Sequence, residues 1–421
     1  MRSVPHSSSP TAQVSTNVFY QMIGKVVGAG TTFFITLYLA RLLGPHGYGD
    51  IVKVVTYVST FFIIADFGFN AVYLSDEQKS YTLPSLFFLR TLWSFVLLFV
   101  AYFLLRFVPL GIDDGYTAAV KLGILLYAPS ILFQSMITTA NAVFQKYLRY
   151  DYSFYAISVG SLTGILTVYI FSITHVSPAL IGAGVYLSAS IGTSFLALFY
   201  MQRLEALTMT YNRVYMKKLF IVSFPVGLTL IANLIYSHAD SFILTLTRST
   251  IEVGTYGFAY RFFETILVIP TFIMNASFPL LLAAKKQSVS LLLRRYRKLS
   301  WFMIVVSIGV AIAVWASAPL LIFIRPDFAV SGNYMRILAL SFPLFFLSSL
   351  VMWMLFVFHK RWELCVIYSV SMIGNIGANV YYVPTYGATA SAWITIASEA
   401  LVLMATYFVL WQSLRLGKKR V

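Results

Sequence analysis

The sequence has 421 residues, of which 59% are hydrophobic and only 10% carry a charged side chain. Its mean hydropathy is +0.81, whereas a soluble domain has about 25% charged residues, so the composition excludes a soluble protein and predicts a polytopic membrane protein. The net charge of +16 does not indicate a nucleic-acid binder, because the cations flank apolar segments, as topology signals do. The single cysteine, Cys365, excludes an intrachain disulfide, and the five scattered histidines predict no metal site.

Apolar segments that are long enough to cross a bilayer follow one another along the chain. Residues 1–16 are rich in serine and proline, and we expect them to form a disordered cytoplasmic N-terminus. Since a crossing needs about 20 apolar residues, the predicted fold class is all-α, a polytopic bundle of twelve transmembrane helices. We place these helices at residues 17–42, 50–74, 83–106, 117–141, 152–173, 178–200, 217–245, 254–280, 299–324, 334–358, 362–383 and 387–411.

Lysine and arginine are divided unevenly between the two sides of this predicted bundle. With the N-terminus inside, 20 of the 30 fall at inner helix ends and 8 at outer ends, so the positive-inside rule places the N- and C-termini in the cytoplasm. The helices then form two parallel six-helix lobes, an arrangement found in transporters. The predicted parts are an N-lobe at 17–202, a cytoplasmic linker at 203–218, a C-lobe at 219–411 and a basic cytoplasmic tail at 412–421.

Two hairpins of similar sequence, at residues 37–66 and 241–264, support this duplication. The glycines and proline of residues 44–49 predict a tight turn in the first hairpin, since glycine tolerates positive φ and proline ends a helix. A shift of 208 residues aligns Lys53 with Arg261, so each hairpin carries a cation about one turn after its glycine.

Polar side chains recur at helical spacing within several of the apolar segments. A helix that faces only lipid has no reason to carry such a stripe, whereas one that lines water or substrate has. The alternative is that these groups bond to neighbouring helices, as they do in many membrane bundles. For the stripes together we favour a hydrated cavity, with Gln21, Gln134, Asn141, Asn233 and Asn375 as candidate polar lining residues.

Charged residues inside the predicted helices are the strongest candidates for function. A charge at the bilayer centre costs about 2.5–3.5 kcal/mol on insertion scales, so each cation needs an internal ion pair or an anionic ligand. Arg261 and Glu264 lie three residues apart and can neutralise each other. We interpret four cations as candidate ligands for an anionic substrate: Lys25, Lys53, Arg90 and Arg261. Four carboxylates are candidates for coupling or gating: Asp66, Asp240, Glu264 and Glu399.

A basic stretch at residues 285–298, with the sequence KKQSVSLLLRRYRK, is predicted to be a cytoplasmic loop. Such a stretch is attracted to the anionic lipids of the inner leaflet. The alternative is that it only fixes the topology.

Three stretches resemble a known family. ARLLGPHGYG at residues 40–49, DFGFN at 66–70 and ADSFILTLTRSTIEVGTYGFAYRF at 239–262 are similar to segments of polysaccharide-biosynthesis flippases of the multidrug/oligosaccharidyl-lipid/polysaccharide exporter superfamily. The resemblance implies two lobes around a central cavity that opens alternately to either side of the cytoplasmic membrane. It also implies an isoprenoid-diphosphate-linked oligosaccharide as cargo, held by cavity cations such as Lys25 and Arg261, with a polysaccharide polymerase and glycosyltransferases as further partners.

The sequence is also compatible with two other functions. A cation-coupled multidrug exporter of the same superfamily would have an acidic or aromatic cavity, against which Lys25, Arg90 and Arg261 argue. A polysaccharide polymerase or glycosyltransferase would need a large exposed domain with catalytic groups, and no predicted loop is long enough, so we expect no enzyme activity. The sequence has no glycine-rich lysine loop for nucleotide phosphates. We therefore expect no cofactor, and H+ or Na+ as the coupling ion.

Overall fold

The computed structural model describes residues 10–75, 83–174, 176–207 and 212–418. Regular structure in these ranges is helical, apart from an isolated bridge between Leu110 and Tyr116. Helices suit an apolar chain because they satisfy their backbone hydrogen bonds internally. In chain order the α-helices are α1 (Pro10–Asp66), α2 (Phe69–Ser75), α3 (Leu83–Phe107), α4 (Ala118–Tyr127), α5 (Ser130–Lys146), α6 (Tyr150–Ser172), α7 (Pro178–Leu204), α8 (Arg213–Thr247), α9 (Thr250–Ile266), α10 (Val268–Gln287), α11 (Val289–Ser317), α12 (Ala329–Ala339), α13 (Phe342–Val357) and α14 (Arg361–Lys418), with 3-10 turns at Ala318–Phe323 and Pro326–Phe328.

Glycines with positive φ divide two of these helices. Gly44 in α1 has a φ of 68° and precedes Pro45, and Gly387 in α14 has a φ of 65°. This backbone conformation is readily adopted by glycine, so each glycine ends one helical segment and lets another begin. The first break lies within the predicted turn at 44–49. Residues 45–49 are nevertheless helical, which corrects the prediction of a longer turn.

The lengths and composition of the helices are those of a membrane protein. Eight helices in the described ranges are long and apolar enough to cross a bilayer, or nine if Pro326–Ala339 and Phe342–Val357, which meet at 42°, form one span. α1 and α14 are each longer than one crossing requires, since a helix rises about 1.5 Å per residue and the hydrocarbon core is about 30 Å thick. Their glycine breaks separate segments that fall on different predicted spans.

The prediction of a loop at residues 285–298 was wrong. α10 continues to Gln287 and α11 begins at Val289, so only Ser288 interrupts the helical structure. The Ser288 hydroxyl accepts a hydrogen bond of 3.2 Å from the Leu291 amide and so caps α11. Polar composition alone could not distinguish a loop from helices that extend beyond their apolar parts.

The structure describes only part of each predicted terminal segment. Residues 1–9 of the expected disordered N-terminus lie outside the described residues, and residues 10–16 are the first turns of α1. In the predicted tail, α14 continues to Lys418, and residues 419–421 lie outside the described ranges. Helical structure therefore extends beyond the apolar segments at both ends.

The chain packs into two compact units, each assembled from several stretches of sequence. Unit 1 comprises Met1–Thr36, Val54–Pro109 and Ala118–Ile231, and unit 2 comprises Leu37–Lys53, Leu110–Thr117 and Ala232–Val421. Aromatic residues anchor both cores, with Phe67 and Phe69 in unit 1 and Tyr256, Phe258 and Phe263 in unit 2. Residues 208–211 of the predicted linker lie outside the described residues.

Candidate functional site

A polar cavity of about 290 Å³ lies within unit 2, where α8, α9, α13 and the two halves of α14 meet. Two carboxylates, Asp240 and Glu264, open onto it together with the side chain of His238. Aromatic and amide side chains complete the lining, a composition that suits a hydrated pocket in an apolar protein. The remaining lining residues are Tyr236, Tyr260, Phe263, Leu267, Phe345, Asn375 and Thr395.

Asp240 on α8 is held in one orientation. It is 5% exposed, and its carboxylate accepts a hydrogen bond of 2.6 Å from the Tyr256 hydroxyl and one of 2.7 Å from the Ser241 amide. A buried charge is tolerated when its oxygens are bonded in this way. Asp240 can therefore present charge to the cavity without moving.

Glu399 on α14 reaches the same cavity through a tyrosine. The carboxylate is 3% exposed and accepts hydrogen bonds from the Tyr236 hydroxyl, at 3.2 Å, and from the Ser348 hydroxyl. Tyr236 itself lines the cavity. The hydroxyl therefore connects the buried carboxylate to the pocket.

Glu264 forms the ion pair that the sequence allowed. Its Oε2 atom lies 3.1 Å from Nη1 of Arg261, and both side chains are partly exposed, at 31% and 28%. The two residues share one face of α9, as their spacing of three requires. The charge of Arg261 next to the cavity is thus balanced in part by a carboxylate of its own helix.

Asn375 links the two halves of α14 across the break at Gly387. Its side-chain amide donates to the Ser398 hydroxyl at 3.0 Å, and its carbonyl oxygen accepts from the Asn379 amide at 3.1 Å. The Ser391 hydroxyl in turn donates to Asn379 at 3.1 Å. This buried network holds the Asn375 side chain at the cavity wall.

The cavity is suited to protons or to a small cation. Carboxylate, amide and hydroxyl oxygens from Asp240, Asn375 and Thr395 line one pocket, and oxygen is the ligand type that hard cations prefer. The described residues contain no cluster of three or more histidine, cysteine, aspartate or glutamate side chains of the kind that holds a metal ion.

Arg90 lies in unit 1 and is completely buried. Its guanidinium donates to Asn70 at 2.8 Å, to Thr139 at 3.1 Å and to the Asp66 carboxylate at 3.2 Å. The structure thus brings together two of the predicted charges, Arg90 and Asp66. Because Arg90 on α3 bonds both α5 and residues 66–70, these contacts favour a structural role for the arginine.

Lys53 lies in unit 2 and is also completely buried. Its ammonium group donates to the Thr250 hydroxyl at 2.6 Å and lies 3.4 Å from the Asp50 carboxylate. Close backbone approach makes this possible, since a Cβ atom at Gly49 would collide with the Thr250 carbonyl oxygen. Lys53 and Arg261, which the internal repeat aligns, therefore have different environments.

Thr250 also forms hydrogen bonds with the segment at residues 110–117. Its backbone amide donates to the Asp114 carboxylate at 2.5 Å, and its hydroxyl donates to the Asp113 carbonyl oxygen at 3.2 Å. The pKa of Asp114 is below its ordinary value, mainly because the carboxylate accepts this hydrogen bond from the Thr250 amide. A carboxylate is stabilising at the N-terminus of α9 because the first amides of a helix lack partners.

The other predicted lining residues lie mostly in unit 1. Lys25 is exposed on α1, and Gln21 is half-buried one turn earlier. On α5, Gln134 and Asn141 are half-buried, and Asn141 accepts a hydrogen bond of 2.8 Å from Ser153. Asn233 belongs to α8, but its side chain lies outside the described residues.

Sequence reasoning missed the tyrosines and the hydroxyl partners of the charged groups. Tyr236 bonds Glu399, Tyr256 bonds Asp240, and Thr250 bonds Lys53. Tyrosine is common in this chain, so no single tyrosine was conspicuous. Asp50 precedes Lys53 by three residues, a spacing that could have revealed their ion pair.

Solved structures share this fold at low sequence identity. The structure titled "Lipid II flippase MurJ, inward closed conformation" matches with a TM-score of 0.75 and 13% identity, over 94% of this chain and 87% of that one. A multidrug resistance MATE family transporter of the MOP superfamily matches in its inward-facing conformation with a TM-score of 0.66, at 13% identity over 94% and 95% of the two chains. Its outward-facing conformation matches with a TM-score of 0.63, at 13% identity over 97% of each chain.

A family model confirms the resemblance seen in the sequence. No curated protein matches the chain. Residues 14–285, which are more than half of the sequence, match the model described as "Polysaccharide biosynthesis protein". With its apolar helices and this fold, the chain is a multi-pass protein of the cytoplasmic membrane. It belongs to the polysaccharide biosynthesis protein family.

Proposed function

We propose that this protein is a flippase that moves an isoprenoid-diphosphate-linked oligosaccharide across the cytoplasmic membrane by alternating access, for cell-surface polysaccharide biosynthesis. The observation that carries the proposal is the match of residues 14–285 to the polysaccharide biosynthesis family. The fold shared with a structure titled as a lipid II flippase supports it. A polysaccharide polymerase and glycosyltransferases would supply and consume the cargo.

The topology proposed with this function has twelve transmembrane helices in two six-helix lobes, with both termini in the cytoplasm. Helix lengths support the count, since α1 and α14 each contain two segments separated by a glycine. The excess of cations at the predicted inner helix ends supports the orientation.

Among the candidate cations, we propose Lys25 and Arg261 as ligands for the diphosphate. Lys25 is exposed on α1, and the side chain of Arg261 is 28% exposed, so both can meet a ligand. Lys53 and Arg90 are completely buried with partners of their own, which makes them poorer candidates.

We further propose that the polar cavity of unit 2 couples transport to H+ or Na+. Asp240, Glu264 and Glu399 supply negative charge in or next to one pocket, and Asn375 and Thr395 supply further oxygen atoms. Asp66 is the least suited of the candidate coupling carboxylates, because it lies in unit 1, whereas this cavity lies in unit 2, and because it pairs with Arg90.

The second candidate function is a cation-coupled multidrug exporter. The specific observation in its favour is the same cavity, which is acidic and aromatic rather than cationic. Structures of multidrug resistance MATE family transporters share the fold.

The experiment that tests the flippase proposal is translocation of a short lipid-diphosphate oligosaccharide in reconstituted vesicles without ATP. Lys25→Ala should abolish translocation and Lys25→Arg should retain much of it, because the phosphate needs positive charge rather than one geometry. Equal activity of wild type and Lys25→Ala would exclude Lys25 as a ligand residue. Movement of small hydrophobic cations alone would favour the exporter.

A further inference from the structure

A second cavity, of about 350 Å³, lies in unit 2 between α10 and α11, close to the break at Ser288. Three polar side chains open onto it, those of Ser277, Arg295 and Lys298. Leucine and phenylalanine side chains form the rest of the lining. We call this cavity the α10/α11 groove.

The two cations of the groove have no carboxylate partner in the part of the chain that the structure describes. Nη1 of Arg295 donates to the Leu280 carbonyl oxygen at 2.7 Å, which fixes the guanidinium at the groove. Lys298 takes part in no ion pair formed among the described residues. Residues 285–298 contain six cations and no aspartate or glutamate. Positive charge beside an apolar surface therefore lacks internal compensation, and an anion would supply it.

The other side of the groove is apolar and faces outward. Leu280 and Phe302, which belong to it, are 58% and 52% exposed. Both lie on helices that are apolar enough to cross a membrane, so their exposed faces meet hydrocarbon. The groove thus joins a positively charged end to an apolar wall, which is the complement of a phosphate headgroup with an acyl chain.

We propose that the α10/α11 groove binds one anionic glycerophospholipid. Arg295 and Lys298 hold the phosphate, the Ser277 hydroxyl donates a hydrogen bond to it, and an acyl chain lies along Phe302. The inference rests on the membrane orientation given under the proposed function, but not on the cargo given there. A bound lipid would bridge α10 and α11 where only Ser288 connects them.

Lipid-linked cargo presents phosphate as well, but the groove suits it less. Two cations and one hydroxyl are enough for a phosphodiester. The rest of the lining is apolar and offers no side-chain hydrogen bonds to a glycan. Anionic phospholipids also concentrate next to polybasic segments on the cytoplasmic side.

The test is native mass spectrometry of the full chain titrated with phosphatidylglycerol, with phosphatidylcholine as the neutral comparison. The double variant Arg295→Gln/Lys298→Gln should lose about 25-fold or more in affinity for phosphatidylglycerol, since each cation in direct contact with the phosphate contributes about fivefold or more. The matched control is Arg294→Gln/Arg297→Gln, which removes the same charge from the same helix without touching the groove.

Equal losses in the two double variants would overturn the proposal, because diffuse charge attraction would then explain the binding. No loss in either variant would also overturn it, because the phosphate would then not be held by Arg295 and Lys298. Arg295 also bonds the Leu280 carbonyl. Lys298→Gln compared with Arg297→Gln therefore provides a pair of single variants that removes no hydrogen bond between residues that the structure describes. Displacement of phosphatidylglycerol by a lower concentration of isoprenoid diphosphate would make the groove a cargo site and would also overturn the proposal. Failure of the vesicle transport assay would leave these binding results unchanged, so the two proposals fail separately.

Discussion

The ammonium group of Lys53 donates a hydrogen bond of 2.6 Å to the hydroxyl of Thr250, the first residue of α9. Lys53 is completely buried, and its other partner is the Asp50 carboxylate at 3.4 Å. The two residues are 197 positions apart in the sequence. The hydrogen bond therefore fixes the segment at residues 37–53 to the N-terminus of α9 within unit 2.

This arrangement predicts that Lys53 is required for stability rather than for ligand binding. Lys53→Met leaves Asp50 buried without its partner and should destabilise the protein by about 3–5 kcal/mol. Lys53→Met/Asp50→Asn should recover most of that loss, because no lone charge remains. Thermal unfolding in detergent checks the stability. A stable double variant that no longer transports would instead make Lys53 a ligand residue.

Asp114 predicts a stability difference that depends on pH. The hydrogen bond from the Thr250 amide lowers the pKa of Asp114 in the folded protein. Asp114 therefore stabilises the fold fully above the pKa of an unfolded aspartate, about 3.9. This stabilisation is lost as the pH falls through the lower pKa of the folded state. Asp114→Asn should therefore lower the unfolding midpoint at pH 7 and at pH 5. The difference from wild type should shrink below about pH 4.

The adjacent Asp113 supplies the matched control, since its backbone carbonyl rather than its side chain bonds Thr250. Asp113→Asn should leave the unfolding midpoint unchanged at each pH. If both variants change the midpoint equally, general surface charge rather than the cap on α9 is responsible.

The pair of Arg90 and Asp66 leads to a prediction about shape as well as charge. Three side chains accept hydrogen bonds from the Arg90 guanidinium, and a lysine cannot reproduce that planar fork. Arg90→Lys should lower the free energy of unfolding by about 1–3 kcal/mol. Arg106→Lys, at an exposed position of the same helix, should have almost no effect on the free energy of unfolding. If the two substitutions lower it equally, Arg90 has no special structural role.

The helices and one of the charge pairs could be predicted from the sequence. Apolar runs indicated where helices lie, glycine and proline marked the break at Gly44, and spacing allowed the pair of Arg261 and Glu264. The side chains that hold the buried carboxylates could not be predicted. Tyr236 and Glu399 are 163 residues apart, and helical periodicity gives the face of a residue but not the helix that it meets.

The pair of Arg261 and Glu264 allows a test that separates ligand binding from neutralisation. Arg261→Ala should abolish transport while the protein remains in the membrane. If Arg261 binds the diphosphate, Arg261→Ala/Glu264→Gln should stay inactive, although no lone charge is left. Transport by the double variant, measured against Glu264→Gln alone, would exclude Arg261 as a ligand residue.

The most direct measurement of the proposed function compares two substrates in one preparation of reconstituted vesicles without ATP. One arm follows the appearance of a short isoprenoid-diphosphate oligosaccharide in the opposite leaflet, and the other follows uptake of a small hydrophobic cation. We expect translocation of the lipid-linked oligosaccharide, accelerated by an H+ or Na+ gradient, and loss of that acceleration in Asp240→Asn. Uptake of the cation without any movement of the oligosaccharide would contradict the flippase proposal.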